Sequence, residues 1–562
     1  MFRASFRTAL LAGTILAAAS AAAHDPAQHT LGAPHGTAST AAPVNAPLLE
    51  RLGDVTFPIS TKNAQAQRYF DQGLALAYGF NHWEAQRAFR AAQALDPDCA
   101  MCFWGEALVL GPNINAPMDA AANAPALAAI AEAQRLAAGG SQKEQALIAA
   151  LAARYSADPA AQRADLDRAY ADAMQQVAQR FPDDLDVATL YAEAIMDLSP
   201  WDYWADGGKT PKGRTAELVA TLEKVLAANP DHIGAIHLYI HAVEASDRPE
   251  RAEPYADRLA AKNVSAGHLA HMPSHIYFRL GRYQDSLEIN KAAVAADEAY
   301  LAQAKPEGFY SGTYYPHNIH FVLVSAQMAG DAGTALDAAD KLARSVPDEI
   351  ARAVAWTQPV KAAPFFAHAQ FSAPDEVLAL PAPGDDFPYV KAMWHYARGT
   401  AHAAAGDAEA ARAEAEAIAT IRNTADLSGL TSGGVPALDV LDIATHVVRA
   451  RVAQAEGDLD TAIAEFEAAA SIEKTLPYME PPFWYYPVGQ SLGAVLLLAG
   501  KTERAEKVFR ESLEAAPNNG WACFGLLEVH KKRGDAEQQS VYEARLARSW
   551  TGDRTLLDLN RL

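Results

Sequence analysis

The sequence predicts an all-α protein built from repeated antiparallel helix pairs, and three observations lead to that fold class. Apolar residues make up 50% of the 562 positions and charged residues 20%, a balance typical of a globular chain with a large core. From about residue 60 onward, apolar residues recur at spacings of three and four, as on one face of a helix. Small residues, a phenylalanine and a proline then return at the same offsets in distant parts of the chain.

The first 23 residues have the features of a cleaved secretory signal peptide. Arg3 and Arg7 precede a short apolar run at 9–18, and the alanines at 21–23 offer a cleavage site before His24. The mature protein is therefore expected to be soluble and either periplasmic or secreted. Residues 24–47 are rich in Ala, Pro, Gly, Thr and His, and we expect them to form a disordered leader.

The net charge argues against two classes of partner. It is −21 at pH 7, and it would become −23 after cleavage because Arg3 and Arg7 are the only charged residues before position 24. Nucleic acids and anionic membranes attract basic proteins, so neither is expected as the main partner. No segment after the signal peptide is apolar over the length needed to span a bilayer.

The three cysteines fall into one close pair and one isolated residue. Cys99 and Cys102 form a C-x-x-C motif, which in an exported chain predicts a local disulfide. Residue 103 is Phe, so haem attachment through C-x-x-C-H is excluded. Cys523 lies in an apolar stretch and is expected to be an inert buried thiol.

One set of small and apolar residues recurs along the chain. The offsets 0, 12, 16, 19 and 24 are occupied by Gly73, Ala85, Phe89, Ala92 and Pro97. Near the C-terminus, the offsets 0, 12, 16 and 24 are occupied by Gly493, Ala505, Phe509 and Pro517. In each frame the small residues let two helices approach, the phenylalanine fills the gap between them, and the proline ends the second helix.

These repeats resemble the tetratricopeptide repeat (TPR) family, whose period is about 34 residues. The resemblance covers most of residues 60–550 and implies a right-handed superhelical solenoid of antiparallel helix pairs with irregular inserts. It also implies a concave groove that binds a protein, a peptide or a small ligand. The chain is further similar to exported bacterial TPR proteins with segments like His-Met-Pro-Ser-His-Ile-Tyr at 271–277 and Glu-Pro-Pro-Phe-Trp-Tyr-Tyr-Pro at 480–487, a similarity that implies no particular activity.

Interruptions of the period indicate how the chain is divided. Irregular stretches occur at 111–117, 201–213 and 300–316, and six prolines fall between 359 and 388. We therefore expect degenerate N-terminal repeats at 48–350, an irregular Pro-rich connection at 351–388 and C-terminal repeats at 389–550. A solenoid needs no sharp domain boundary, because each repeat is expected to contact only its neighbours.

Eight of the 17 histidines lie between His232 and His320. Counted from nearby prolines and turns, repeats begin at 185, 233, 267 and 316, and positions 2, 5 and 9 of such a helix share one face. Position 5 is occupied by His237, His271 and His320, position 9 by Glu193, His241 and His275, and position 2 by His268 and His317. Because the first helix of each TPR lines the groove, these side chains are expected to converge there.

Imidazole and carboxylate side chains together suit a divalent transition metal such as zinc or copper. The central candidate ligands are His237, His241, His271 and His275. Glu193 or Glu244 is a candidate further ligand, supporting group or general base. Three protein ligands would leave one position for water, so the sequence leaves open whether the protein is an enzyme. Two metal-free interpretations also stay open: a ligand or peptide groove, and histidines that cap or pack helices.

The segment at 480–487 is a second candidate binding element. Trp484, Tyr485 and Tyr486 lie in a proline-stiffened loop and either stack on a ligand or plug the gap between helices. Nucleotide-binding glycine loops and the H-E-x-x-H motif are absent, and the G-x-S-x-G at 489–493 falls inside a predicted helix. The sequence thus predicts an exported binding protein with a histidine-rich metal or ligand site, with a metal-dependent enzyme or a metal-free scaffold as the alternatives.

Overall fold

A computed structural model describes residues 46–304 and 309–562. The predicted signal peptide and all but the last two residues of the predicted leader lie outside the described residues. The N-terminal helices are α1 (Ala64–Tyr78), α2 (His82–Leu95), α3 (Ala100–Val109), α4 (Asn123–Leu136), α5 (Gln142–Ala152), α6 (Arg163–Arg180), α7 (Leu185–Met196) and α8 (Thr215–Ala228). The central helices are α9 (Ile233–Val243), α10 (Glu253–Lys262), α11 (Gly267–His271), α12 (Pro273–Arg279), α13 (Tyr283–Ala304), α14 (Phe309–Gly312), α15 (Tyr314–Ala329) and α16 (Ala332–Ala343).

Twelve further helices complete the described part of the chain. They are α17 (Asp348–Ala353), α18 (Thr357–Phe371), α19 (Pro374–Leu378), α20 (Pro388–Ala404), α21 (Ala408–Thr424), α22 (Ser428–Ser432), α23 (Ala437–Ala455), α24 (Leu459–Glu473), α25 (Val488–Leu498), α26 (Thr502–Ala515), α27 (Gly520–Arg533) and α28 (Ala536–Ser549). Within the described residues, sheet structure is limited to a hairpin of β1 (Trp204–Ala205) and β2 (Thr210–Pro211), which pairs Trp204 with Pro211.

Consecutive helices pack as antiparallel pairs, which confirms the predicted fold class. The recurring glycine–phenylalanine frame has a direct structural reason. The ring of Phe89 on α2 lies against Gly73 of α1 and Gly105 of α3, and a Cβ added at Gly73 would lie 2.6 Å from that ring. On α26, Phe509 lies in the same way against Gly493 of α25 and Gly525 of α27. Glycine is needed at these positions because the phenylalanine fills the space of the missing side chain.

The predicted repeat starts agree with the observed helices. The repeat period places the starts at 185, 233, 267 and 316. The helices α7, α9, α11 and α15 begin at 185, 233, 267 and 314, so only the last differs, by two residues. Pro273 separates α11 from α12, because proline has no backbone N–H to donate to the helix. Met272 between them nevertheless keeps helical dihedral angles (φ −50°, ψ −37°), so His271 and His275 still share one face.

The stretch at 351–388 is more regular than the sequence indicated. It contains the 15-residue helix α18, which includes Pro364. The helix persists because its apolar face is buried, with Val360, Ala363 and Phe366 at most 4% exposed, and this packing against α16 and α20 offsets the lost hydrogen bond. The division of the chain into 48–350 and 389–550 stays a prediction.

The buried apolar residues form two large clusters, one drawn from 52–314 and the other from 287–562. The two clusters meet at α13 and α15. Contacts between distant repeats reinforce this junction: Thr551 N donates to Ala329 O at 2.9 Å, and Trp521 Nε1 donates to Gln327 O at 3.3 Å. The expectation that each repeat contacts only its neighbours is therefore wrong, because α27 and the chain after α28 fold back against α15.

Two further features follow from the sequence. A disulfide joins Cys99 at the start of α3 to Cys102, and Cys523 is a buried free thiol. None of the helices among the described residues combines the length and apolar character needed to cross a bilayer.

Candidate metal centre

Six histidines converge in a buried chamber where the two apolar clusters meet. They are His237 and His241 on α9, His268 and His271 on α11, His275 on α12 and His317 on α15. The first five are at most 2% exposed, and His317 is half-buried. The sequence predicted that these side chains line a concave groove. In the structure aromatic side chains enclose the rings, including Trp201 from an insert, whose ring lies 5.2 Å from that of His241.

His271, His275 and His317 form one group, called here the first triad. The Nε2 atoms of His271 and His275 lie 2.6 Å apart, and those of His271 and His317 lie 3.2 Å apart. Nitrogens bound to one tetrahedral zinc ion lie about 3.3 Å apart, given Zn–N distances of about 2.0–2.1 Å. The second distance fits this value, and the first would open by about 0.7 Å on binding.

The Nδ1 atoms of His271 and His275 both donate hydrogen bonds, which leaves the Nε2 atom of each ring unprotonated. Asn290 Nδ2 donates to Ser286 O at 2.6 Å, so its Oδ1 accepts from His271 Nδ1 at 2.7 Å. His275 Nδ1 donates to Glu244 Oε2 at 2.6 Å. A neutral imidazole has one N–H, so both Nε2 atoms are lone-pair acceptors that point at each other. Such a contact requires a shared proton or a cation between them.

His237, His241 and His268 form a second group, called here the second triad. One ligand atom from each of the three lies within 4.8 Å of the others. His237 and His241 are one turn apart on α9, and His268 is on α11, the helix that also carries His271 of the first triad. Rings of the two triads are close: the His241 and His275 centroids lie 5.2 Å apart, and those of His268 and His271 lie 5.7 Å apart.

Two carboxyl groups stand beside the rings. Glu244 accepts from His241 Nδ1 through Oε1 at 2.8 Å and from His275 Nδ1 through Oε2. The Glu480 carboxyl group also contacts His275 Nδ1. Glu480 belongs to the loop between α24 and α25. The part of the chain that forms the second apolar cluster therefore supplies one carboxyl group to a chamber built mainly by the part that forms the first.

Burial controls the charge state of the chamber. It lowers the pKa of His241 and of His271 to about 3, and it lowers the pKa of the other four histidines well below the ordinary value. Burial also raises the pKa of Glu244 to about 8, against the attraction of Arg279, and raises the pKa of Glu480 further because the two carboxyl groups repel. Neutral imidazoles keep the lone pairs that a metal ion needs.

A cavity of about 330 Å³ adjoins the first triad. His275 and Glu480 form part of its wall, together with the ring of Phe321. The remaining wall is mostly apolar and aromatic and is supplied by α12, α13, α15, the 476–487 loop and the helices α24, α25 and α26. A small ligand in this cavity would therefore lie next to an imidazole and a carboxyl group.

Two predicted ligands lie outside both triads. His320 is 3% exposed, and among the described residues neither of its ring nitrogens has a hydrogen-bond partner; its ring lies 5.5 Å from that of Tyr485. Glu193 faces Arg154, whose charge counteracts the burial that raises the Glu193 pKa. Position 9 of α7 therefore lies in a separate charged cluster with Arg154.

The aromatic loop packs between helices. Trp484 is 3% exposed and lies 5.0 Å from Phe366, while Tyr485 OH donates to Ala363 O at 2.9 Å. Tyr486 OH donates to Arg561 O at 3.3 Å. Trp484 and Tyr485 also line the cavity, so they are candidates for contact with a ligand as well.

Sequence reasoning missed Glu480 and Asn290 as members of the site. Asn290 is on α13, the second helix of its repeat, and the frame gave no reason to place it near a first helix. Glu480 carried one signal, because the 271–277 and 480–487 segments were the two that supported the same resemblance. That pairing was a hint that the two segments meet.

The fold and the chamber define an all-α protein of stacked antiparallel helix pairs with a buried histidine cluster. Similar solved structures include the human IFIT1 dimer with m7Gppp-AAAA, at 11% identity over 87% of this chain and 90% of that chain with a TM-score of 0.30. Yeast Tom70 matches at 12% identity over 89% of this chain and 95% of that chain, with a TM-score of 0.30. At these values, nothing about a ligand or an activity is transferred to this chain. No protein-family model and no curated protein matches it.

Proposed function

We propose that this protein is an exported helical-repeat protein that binds a transition-metal ion between His271, His275 and His317. The observation that carries the proposal is the 2.6 Å separation of two facing Nε2 lone pairs, with a third Nε2 3.2 Å from one of them. A metal ion between these atoms removes their repulsion and satisfies all three. Imidazole nitrogens select zinc or copper over magnesium or calcium.

The hydrogen bonds behind the ligands support the same proposal. Glu244 and Asn290 accept the Nδ1 protons of His275 and His271, which fixes the ring orientation and makes each Nε2 more basic. The proposed export is supported by the signal-like N-terminus and by the Cys99–Cys102 disulfide, since disulfides persist in oxidising compartments.

Elemental analysis of untagged protein, purified without chelator, tests metal binding. We expect at least one equivalent of zinc or copper in the wild type and at least one equivalent less in the His271→Ala/His317→Ala variant. The matched control is His395→Ala/His446→Ala, because both of those histidines donate to a carboxylate outside the chamber. The control should retain the full metal content.

One result would overturn the proposal: no metal in the purified wild type and no uptake of zinc, copper, iron or nickel. The cavity would then be a metal-free ligand site, and a protein or peptide that co-purifies with the wild type would identify its partner.

A metal-dependent enzyme is the second candidate, and the adjoining cavity favours it. Three histidines leave an open coordination position, and the cavity wall includes His275 and Glu480, so a small molecule could reach the ion and a nearby carboxyl group. In that case Glu480 or Glu244 would take the proton from a bound water, the role the sequence suggested for Glu244 or Glu193. Azide added to Co²⁺-loaded protein should change its visible spectrum; an unchanged spectrum would mean a closed site and would exclude this candidate.

A further inference from the structure

Several ring nitrogens of the second triad have no hydrogen-bond partner in the described part of the chain. His237 Nδ1 donates to Tyr78 O, and His241 Nδ1 donates to Glu244 Oε1 at 2.8 Å. Because the proton of each neutral ring is on Nδ1, each Nε2 is unprotonated and has a free lone pair. Among the described residues, neither of these Nε2 atoms has a hydrogen-bond partner, and neither ring nitrogen of His268 has one. Leaving such buried groups unsatisfied is unfavourable. One nitrogen from each of the three rings lies within 4.8 Å of the others, so a single occupant can bind all three rings.

The two triads are built in the same way. The ring of Phe321 contacts all three members of the first triad, with centroid distances of 4.8–5.2 Å. The ring of Phe80 contacts all three members of the second triad, with distances of 4.4–6.0 Å. Phe80 has a φ of 55°, in the left-handed region that bulky residues rarely adopt. The fold retains this unfavourable turn residue at a position where its ring covers three imidazoles.

Glu244 connects the triads. Its two carboxylate oxygens accept one Nδ1 proton from each triad, from His241 and from His275. One buried carboxyl group therefore orients a ligand in both groups.

We infer that the chamber holds two transition-metal ions, one on each triad, with Glu244 as the group that positions both. This inference rests on the proposed function and extends it from one ion to two. The second ion would be bound by His237 Nε2, His241 Nε2 and one nitrogen of His268. The ligand class is the same for both sites, because each offers three neutral imidazoles.

Stoichiometry tests the inference, with Zn²⁺ and Cu²⁺ salts as the probes. After loading and desalting, the wild type should retain two equivalents, His268→Ala one, His317→Ala one and His268→Ala/His317→Ala none. His320→Ala is the matched control, since His320 is buried and its ring nitrogens, like those of His268, have no hydrogen-bond partner among the described residues, but it belongs to neither triad. That control should retain two equivalents.

A spectroscopic readout separates two neighbouring ions from two distant ones. In the Cu²⁺-loaded wild type, coupling between the ions should reduce the integrated electron paramagnetic resonance signal below two spins per chain. His268→Ala should show one isolated Cu²⁺ with its full signal, and circular dichroism should show that it is folded. If His268→Ala does not fold, the wild-type stoichiometry and signal decide the question alone.

The outcomes distinguish this inference from the proposed function. One equivalent in the wild type, lost in His317→Ala and kept in His268→Ala, overturns the two-ion inference and leaves the proposed function intact. No metal in the wild type overturns both. Loss of metal in His320→Ala would assign the second site to other residues and would also overturn the inference.

Discussion

At the residue scale, Asp297 shows how a group outside both triads positions them. It is fully buried and accepts hydrogen bonds from Tyr310 OH and from Asn318 Nδ2, each at 2.7 Å. Asn318 follows His317, and Gly267 precedes His268. A Cβ at Gly267 would collide with the Asp297 carboxylate, so the glycine makes room for this group. Asp297 therefore contacts α15, which carries His317, and packs against α11, which carries His268 and His271.

Asp297 should make the stability of the metal-free protein depend on pH. Burial raises its pKa to about 7, so the folded state holds a proton that the unfolded state has lost between about pH 4 and 7. The free energy of unfolding should fall as pH rises through this window, by roughly 4 kcal/mol at most. Asp297→Asn cannot ionise and should lose this part of the pH dependence.

Urea unfolding at pH 5 and pH 8, with chelator present, measures this difference. The control is Asp385→Asn, because the Asp385 side chain is 91% exposed and should leave the pH dependence nearly unchanged. Parallel pH profiles for the wild type and Asp297→Asn would contradict the prediction.

At the element scale, the glycine–phenylalanine contact sets how closely neighbouring helices pack. A Cβ added at Gly493 would lie 2.7 Å from the Phe509 ring. Gly493→Ala should therefore force α25 and α26 apart and reduce the free energy of unfolding by about 1–3 kcal/mol. Denaturant unfolding followed by circular dichroism measures the change.

Gly429→Ala is the matched control for that substitution. Gly429 also lies in a helix, α22, but a Cβ there would meet nothing within 4 Å. The same chemical change should be neutral or stabilise by about 0.4–1 kcal/mol, because alanine restricts the unfolded chain. Equal losses of stability in the two variants would mean that packing against Phe509 is not the cause.

At the scale of the whole molecule, the C-terminal helices brace the chamber. The ring of Trp550 lies 4.6 Å from that of Trp521 and fills the space over Gly330, at the end of α15. Since α15 also carries His317, the end of the chain and the histidine chamber share one helix. We expect the two ends of α15 to unfold together.

Trp550→Ala tests this coupling. The substitution should destabilise the protein by about 3–5 kcal/mol, and hydrogen exchange should accelerate in α15 as well as in α28. Val541→Ala is the control, because Val541 is also on α28 but is 45% exposed and should change exchange little. Faster exchange confined to α28 would mean that the repeats unfold one by one, as in a simple solenoid.

Patterns in the sequence were enough to predict the helical repeats and the histidines of the chamber. Gly73 and Phe89 predicted helix pairs because a local contact at fixed spacing suffices to define each pair. The repeat frame placed seven histidines on one side of successive helices because helical periodicity is a local property, and six of them lie in the chamber. His320 and Glu193 show its limit, since residues at the same frame positions as triad members lie outside both triads.

Only the tertiary structure decided which histidines meet and what stands behind them. Glu480 reaches His275 because two distant repeats fold against each other, and no local pattern contains that contact. Asn290 and Asp297 act from the second helix of a repeat, where the frame predicted only packing. The enclosure of the chamber has the same origin: burial depends on which segments cover a site, and that follows from the summed packing of the whole chain.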